Sequence, residues 1–274
     1  MKIIDAQVHI WSQTVIPPGG GHRQVPRFTA EELLGEMDEA GVDGGLIHPP
    51  ASWDPDANAV AIEAAEKYPD RLAIMGQFPP EDPANARLIP GWRRQPGMMG
   101  LRWALLYHDQ PRLLAEGKLD WIWAAAEKEG LPVSLQAGLF LGKFRSIAEA
   151  HPSLKLIVDH CGLNLFHTDD AALVHLDELL ALAKLPNVAV KATGAPAFSS
   201  EPYPYRNLHD VLHRLFDAFG PKRLFWGTDF TRLACSYRQC VTLFTEELRW
   251  LEGRDLEDVM GRSLTEWIGW DYKF

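Results

Sequence analysis

Cysteine is scarce in this sequence, and its three occurrences form no recognisable pattern. Cys161, Cys235 and Cys240 are too few for a disulfide framework, and no CxxC pair or Cys/His zinc spacing occurs among them. We therefore expect three reduced, buried thiols. The N-terminus also lacks a cationic region followed by a long apolar stretch, so neither a secretory signal nor a transmembrane segment is predicted, and we expect a cytoplasmic protein.

Basic residues are fewer than acidic residues in this chain. The 27 Lys and Arg residues are outnumbered by 37 Asp and Glu residues, which gives a net charge of −10, and no basic run occurs. Such a chain has no electrostatic footprint for nucleic acid or for an anionic membrane surface. The expected partner is a small molecule, and a homo-oligomer is left open.

Internal repeats, low-complexity tracts and linker-like segments are absent too. A length of 274 residues fits one large α/β domain, and the 46% of apolar residues can supply a full core. We therefore predict a single domain over residues 1–274. Ten Trp and twelve Phe suit either a well-filled core or a ligand pocket with apolar walls.

Short β-forming runs alternate with amphipathic segments along the chain. The strand candidates, each bounded by Gly, Pro, Asp or Asn, cover residues 2–10, 43–49, 71–78, 98–103, 131–137, 154–160, 187–193 and 223–229. Apolar residues recur at helical spacing in segments such as 29–40, 57–67, 119–129, 171–184 and 208–219. Eight strands alternating with helices predict an α/β fold, a (β/α)8 TIM barrel with room for distortion. The irregular segments 12–28 and 194–204 follow strands and should lie over the open face.

Three titratable side chains stand at the ends of three separate strands. His9 lies near the end of the first strand, His160 closes the sixth and Asp229 closes the eighth. Strand alternation points residues 5, 7 and 9 to one side. Each of the three groups has a structural alternative, because strand histidines are often core residues and Asp often caps a helix or pins a turn. Their joint position at the carboxyl ends favours one shared catalytic site.

The motifs at these strand ends resemble those of the amidohydrolase superfamily. The first strand carries Asp5-Ala6-Gln7-Val8-His9, the sixth is followed by His160-Cys161-Gly162, and the eighth ends in Gly227-Thr228-Asp229. More narrowly, the chain resembles the branch that includes 2-pyrone-4,6-dicarboxylate lactonases, sugar-acid lactonases and some metal-dependent decarboxylases. The resemblance implies a barrel hydrolase acting on a small molecule.

Two glutamines depart from the superfamily pattern. Gln7 stands where the first His of the His-x-His pair is usual, and Gln136 stands on the fifth strand, from which metal-binding relatives often supply a ligand. A neutral amide is a poor zinc ligand. We therefore expect no tightly bound metal, a situation for which the resemblance to the pyrone lactonases offers a precedent. The alternative is one divalent ion, zinc or manganese, held by His9, His160 and Asp229.

Without a metal, the polar groups at the strand ends suffice for hydrolysis. The amide of Gln7, together with His9 and His160, can donate to a carbonyl or to a developing oxyanion. Asp229 can act as general base on a water that attacks this carbonyl. The predicted function is the opening of a lactone or related cyclic ester. The alternatives are a metal-dependent decarboxylase of the same superfamily and a barrel that has lost catalysis and only binds a ligand.

Recognition of an anionic substrate requires cations or other donors near the strand ends. The candidates are Arg102, Lys191, Arg232 and His48. Arg102 and Lys191 can instead pair with acidic residues inside the barrel, and a structural hydrogen bond is the alternative for His48 and for Gln77. His22 and Arg23 are candidates for a lid over the site. Trp53, Trp103 and Phe230 are expected either to form pocket walls or to pack in the core. Surface or capping roles are expected for the remaining histidines, which are His108, His151, His167, His175, His209 and His213.

Overall fold

Eight parallel strands follow one another around the centre of the protein in chain order. The structure is a computed structural model and describes residues 1–13, 21–50, 54 and 56–274. The strands are β1 (Ile4–Val8), β2 (Gly44–Ile47), β3 (Leu72–Gly76), β4 (Met98–Trp103), β5 (Val133–Leu135), β6 (Leu156–Val158), β7 (Val188–Thr193) and β8 (Leu224–Gly227). Each lies within its predicted segment. The predicted eight-stranded barrel is therefore confirmed.

Helices between the strands cover the outside of the barrel. Those described are α1 (Ala30–Ala40), α2 (Ala57–Lys67), α3 (Gln110–Ala115), α4 (Asp120–Lys128), α5 (Leu141–Ala150), α6 (Leu176–Ala181), α7 (His209–Phe219), α8 (Tyr237–Thr242), α9 (Gly253–Glu257) and α10 (Ser263–Ile268). The helix predicted over 171–184 is shorter and begins at Leu176. None of the helices in the described ranges is long and apolar enough to cross a membrane.

The strands are buried on both faces, as expected for a parallel sheet covered by helices. One apolar cluster fills the barrel and contains Ile4, Ala6, Leu46, Ala73, Met75, Ile157, Ala189 and Phe225. A larger cluster lies between the strands and the helices. The polar residues at the carboxyl ends therefore lie next to a buried apolar core.

The first strand contains an irregularity that decides where its polar side chains point. The pairing of β1 with β2 shifts register between Asp5 and Val8, as in a β-bulge. Asp5 accepts hydrogen bonds from Thr228 and from the Tyr237 hydroxyl of α8, whereas Gln7 contacts Lys191 inside the barrel. The expectation that residues 5, 7 and 9 share one side was wrong for Asp5, because a bulge interrupts strand alternation.

The seam between β8 and β1 is closed by a carboxylate as well as by backbone. Asp5 Oδ1 accepts from the Thr228 amide at 2.8 Å, and the Asp229 amide donates to the Gln7 carbonyl at 2.9 Å. Burial raises the pKa of Asp5 to about 6, against the opposing effect of its hydrogen bonds with Thr228, Tyr237 and the Gln7 amide. The seam thus brings Gln7 and Asp229 side by side.

Candidate active site

A cavity of about 1160 Å³ opens at the carboxyl ends of the strands. Gln7, His9, His160 and Asp229 all line it, although none of them is more than 4% exposed. The side chains predicted at three separate strand ends therefore lie at one site, as the barrel geometry requires. The apolar part of the wall includes Phe78, Trp103, Tyr107 and Phe166.

His9 is fixed between a backbone carbonyl and a carboxylate. Its Nδ1 donates to the His48 carbonyl oxygen at 2.6 Å, because a carbonyl can only accept. Its Nε2 lies 3.0 Å from Asp229 Oδ1. A neutral His9 would therefore turn the lone pair of Nε2 towards an ionised oxygen. The arrangement calls for positive charge at this point, either on the imidazole or on a cation bound beside it.

Asp229 is held in a conformation that few non-glycine residues adopt. It follows β8 with φ 51°, in the left-handed region, and this turns its side chain into the cavity. Its Oδ2 lies 3.5 Å from Arg232 Nη1 and 3.9 Å from His160 Nε2. Burial by itself raises the pKa of Asp229, but His9 and the other nearby basic side chains outweigh it and hold that pKa well below its usual range. The carboxylate is therefore ionised at neutral pH.

The amide of Gln7 has a defined orientation. Lys191 Nζ lies 2.9 Å from Gln7 Oε1, and an ammonium group can only donate, so the oxygen must face Lys191. The NH2 group therefore points the other way, 3.4 Å from the Nε2 atoms of both His9 and His160. The NH2 group of Gln7 therefore lies on the side of the two histidines, and Gln7 lines the cavity.

Lys191 and Arg102 converge on Asp159, the residue that follows β6. Lys191 Nζ lies 2.7 Å from Asp159 Oδ1, Arg102 Nε donates to Oδ2 at 2.9 Å, and Ser134 also donates to this carboxylate. The alternative of pairing inside the barrel is thus found for both cations. Lys191 is fully enclosed, and burial lowers its pKa to about 8. Arg102 also lines the cavity.

Two buried histidines have structural partners. His160 adopts φ 54°, its Nδ1 lies 3.1 Å from Thr193 Oγ1, and burial lowers its pKa to about 3. His48 is completely buried and its Nε2 donates to the Ala6 carbonyl at 3.1 Å, which is the structural hydrogen bond weighed for it. Burial and then Lys191 keep the pKa of His48 well below its usual range. Both rings are neutral at pH 7.

The segment before α1 carries His22 into the cavity. His22 Nδ1 lies 2.9 Å from Thr231 Oγ1, and its ring meets the ring of His9 edge-on at 5.1 Å between centroids. Burial lowers the pKa of His22 to about 3. Arg23 points elsewhere, because it pairs with Glu36. Of the described residues in this segment, Gly21 and His22 line the cavity, as the predicted placement over the open face requires.

Three side chains of the described residues are placed to hold a metal ion. Ligand atoms of His9, His22 and Asp229 all lie within 4.8 Å of one another. Two imidazoles and a carboxylate suit zinc and related divalent ions. Asp229 Oδ1 is buried and lies 3.0 Å from His9 Nε2, so the donor set fits a cation. It differs by one member from the set suggested by the sequence, with His22 in the place of His160.

The aromatic and histidine candidates near the strand ends differ in whether they line the cavity. His108, expected in a surface or capping role, lines the cavity five positions after β4 and adopts φ 51°. Trp103 also lines the cavity, whereas Phe230 is 2% exposed and stacks on Tyr237, so it belongs to the core. Trp53 lies outside the described residues. The signal for His108 was its position in the loop after a barrel strand.

The thiols agree only in part with the expectation of buried cysteines. All three are free, and Cys161 and Cys240 are buried, but Cys235 is half-buried. Cys235 Sγ lies 3.6 Å from Cys240 Sγ. Its partial exposure follows from its place in the loop between β8 and α8, above the barrel rim.

A comparison with known proteins agrees with the family resemblance of the motifs. The profile of the amidohydrolase family matches residues 4–262. The chain belongs to this family. An L-fucono-1,5-lactonase from Burkholderia multivorans is 26% identical over 92% of this chain and 89% of the relative. A 4-sulfomuconolactone hydrolase from Rhizobium radiobacter is 28% identical over 82% of this chain and 74% of the relative.

The barrel also matches solved amidohydrolase structures. An amidohydrolase from Burkholderia multivorans with bound zinc superimposes with a TM-score of 0.84 over 98% of this chain and 99% of that protein, at 21% identity. At this level of identity the likeness supports the fold. The family resemblance derived from the sequence is therefore confirmed.

Proposed function

We propose that this amidohydrolase-family protein is an enzyme that hydrolyses the lactone ring of a small carboxylated compound. The observation that carries the proposal is the ionised Asp229 carboxylate beside the NH2 group of Gln7 at the floor of the cavity. A base and an oxyanion donor on neighbouring strands are what acyl transfer to water requires. The lactonase and lactone hydrolase names of the two relatives support the same reaction class.

The reaction begins with a water molecule held by Asp229. The water oxygen attacks the lactone carbonyl carbon while the carboxylate takes the water proton. The carbonyl oxygen, which becomes negative, is stabilised by the amide NH2 of Gln7. His9 and His160 lie beside both groups and position them. The bond between the acyl carbon and the ring oxygen then breaks, and the ring oxygen receives the proton from Asp229 to give a hydroxy acid.

The substrate carboxylate is assigned to the arginines on the cavity wall. Arg102 uses its Nε for Asp159, and no hydrogen bond among the described residues uses its two terminal nitrogens. Arg232 lines the same cavity and is 21% exposed at its side chain. A guanidinium group binds a carboxylate with two parallel hydrogen bonds. Lys191 and His48, both enclosed, contribute to substrate binding through Gln7 and His9, the residues that they hold.

The proposal is tested with a panel of carboxylated and uncharged lactones. We expect the wild-type protein to open carboxylated lactones, and Asp229→Asn to lower kcat by a factor of about 10² to 10⁴ because the general base is lost. The control is Asp177→Asn, since Asp177 is 93% exposed and pairs with Arg214 on the surface. This control should match the wild type, and circular dichroism should show that all three proteins are folded.

Each alternative function gives a different result in the same experiment. Equal turnover by wild type and Asp229→Asn would remove Asp229 from the mechanism. Release of carbon dioxide from carboxylated compounds without ring opening would identify a decarboxylase. Saturable binding of lactones without turnover by the wild type would favour a barrel that only binds its ligand.

A further inference from the structure

We propose that Cys235 and Cys240 form a reversible dithiol–disulfide pair, a modification site that reacts with hydrogen peroxide or a related peroxide. The two Sγ atoms lie 3.6 Å apart. A disulfide needs sulfurs about 2.05 Å apart, so the pair closes with a movement of roughly 1.5 Å. Neither cysteine is among the described residues that line the cavity, and the proposed hydrolysis uses neither thiol.

The two thiols differ in exposure, and this difference assigns them different roles. Cys235 is half-buried and stands between Ala234 and Ser236, which are both exposed. Cys240 lies on α8 and is 3% exposed. A peroxide in solution therefore reaches Cys235 first, and Cys240 is the thiol that resolves the oxidised product.

The hydrogen bonds around Cys235 favour its thiolate. Cys240 Sγ lies 3.6 Å from Cys235 Sγ and 3.6 Å from the Ser236 carbonyl oxygen, which can only accept, so Cys240 is the donor. This hydrogen bond, and then one from the Tyr205 hydroxyl, lower the pKa of Cys235 against the opposing effect of burial. The same hydrogen bond and burial hold the pKa of Cys240 well above its usual range. Because the thiolate is the nucleophile, Cys235 is the more reactive of the two.

The oxidation consists of two steps. The Cys235 thiolate attacks one oxygen of the peroxide, the O–O bond breaks, and a sulfenic acid forms on Cys235 while hydroxide leaves. The Cys240 sulfur then attacks the Cys235 sulfur, the S–O bond breaks, and the leaving hydroxide takes the Cys240 proton. Overall, two thiols lose two electrons and two protons, and hydrogen peroxide is reduced to two water molecules. A dithiol reductant reverses the reaction by thiol–disulfide exchange.

Cys161 provides an internal comparison for these two thiols. It is 1% exposed, and burial raises its pKa to about 12. An enclosed thiol of high pKa is inert towards peroxides and alkylating reagents. We therefore expect Cys161 to stay reduced under conditions that oxidise the pair.

The pair adjoins a residue to which the proposed function assigns the substrate carboxylate. Arg232 comes three positions before Cys235, lines the cavity and lies 3.5 Å from Asp229. Cys240 is anchored, because its carbonyl oxygen accepts from Trp226 Nε1 on β8 at 3.2 Å. Closure therefore moves the Cys235 end of the loop, and we expect it to displace Arg232. This consequence rests on the proposed function, whereas the disulfide itself does not.

The test oxidises the reduced full-length protein with a slight excess of hydrogen peroxide, alkylates the remaining thiols and maps the tryptic peptides by mass spectrometry. Trypsin cleaves after Arg232, Arg238 and Arg249, so the two cysteines fall into separate peptides, residues 233–238 and 239–249. We expect these peptides to be linked within one chain after oxidation and released by dithiothreitol. Cys161 should be alkylated in full.

Serine variants separate the roles of the two thiols. Cys240→Ser should stop at a sulfenic acid on Cys235, which dimedone traps, and Cys235→Ser should give no linked peptides. Cys161→Ser is the matched control and should form the link as the wild type does. In the reduced wild type, iodoacetamide at neutral pH should label Cys235 at least about tenfold faster than the other two thiols. Circular dichroism should show that all variants are folded.

Lactone kinetics give a second readout. Oxidation should raise KM for carboxylated lactones roughly tenfold in the wild type, because the hydrogen bond of a charged group is weakened, and should leave KM of Cys235→Ser unchanged. An unchanged KM after complete linkage would refute the displacement of Arg232.

Three results would overturn the pair itself. They are the absence of linked peptides, a link that joins two chains on a non-reducing gel of dilute protein, and reaction of Cys161 or Cys240 before Cys235. Peptide mapping decides these points even if the protein opens no lactone, so failure of the proposed function and failure of the pair are distinguishable.

Discussion

The chemistry of the site depends on single side chains whose surroundings fix their orientation. Gln7 can donate to a substrate because an ammonium group holds its oxygen, and His9 faces Asp229 because a carbonyl holds its other nitrogen. These orientations follow from which partners can only donate and which can only accept. The same reasoning applies to Arg102, whose Nε donates to Asp159 and whose side chain also lines the cavity.

At this scale we predict that Arg102→Lys selectively weakens the binding of carboxylated lactones. Lysine keeps a positive charge but loses the forked pair of donors, and a hydrogen bond to a charged group contributes about 1.5 to 3 kcal/mol. Steady-state kinetics should show KM for carboxylated lactones raised roughly 10-fold to 100-fold, with little change for uncharged lactones. Arg112→Lys, on an exposed helix, is the control. An equal rise for both kinds of lactone would show that Arg102 acts only through Asp159.

The catalytic candidates could be predicted from the sequence more completely than the other side chains that line the cavity. His9, His160 and Asp229 could be placed at one site because the ends of barrel strands converge. His22 and His108 come from segments without regular periodicity, so their positions depend on loop conformation, which strand and helix patterns do not encode. The identity of the donor set around Asp229 was for this reason out of reach.

At the scale of elements, the barrel strands are tied together by a buried ion pair. Lys191 on β7 contacts Asp159 after β6 and Gln7 on β1, so one ammonium group links three strands. The sequence could not show the β-bulge of β1, because a register shift leaves no mark in the hydrophobic pattern of so short a strand. The bulge turns Asp5 towards Tyr237 and leaves Gln7 facing Lys191.

This linkage predicts a large difference between two lysine substitutions. Lys191→Met leaves the buried Asp159 without its ammonium partner and should lower the free energy of unfolding by about 3 to 5 kcal/mol. Lys67→Met removes an exposed pair with Glu31, in which the lysine side chain is 60% exposed, and should change the free energy of unfolding much less, because solvent screens an exposed pair. Urea denaturation followed by circular dichroism measures both. Similar values for the two variants would mean that the buried pair does not stabilise the barrel.

At the scale of the whole molecule, the barrel could be predicted from the sequence, but the loops that shape the cavity at its open end could not. Eight periodic strand segments and the helices between them determine a closed parallel sheet, and all eight strands formed within their predicted bounds. The cavity above them is shaped by loops, including the segment around His22 and the wall around Tyr107 and His108. Substrate choice therefore depends on the loops, whose sequences follow no repeating pattern.

The most direct test of the account is hydrolysis of a carboxylated lactone in water labelled with oxygen-18, with the product analysed by mass spectrometry. Attack of the water held by Asp229 on the carbonyl carbon predicts one labelled oxygen in the new carboxylate and none in the hydroxyl group of the hydroxy acid. A label in the hydroxyl group, or labelled product formed at the same rate by Asp229→Asn, would contradict the mechanism.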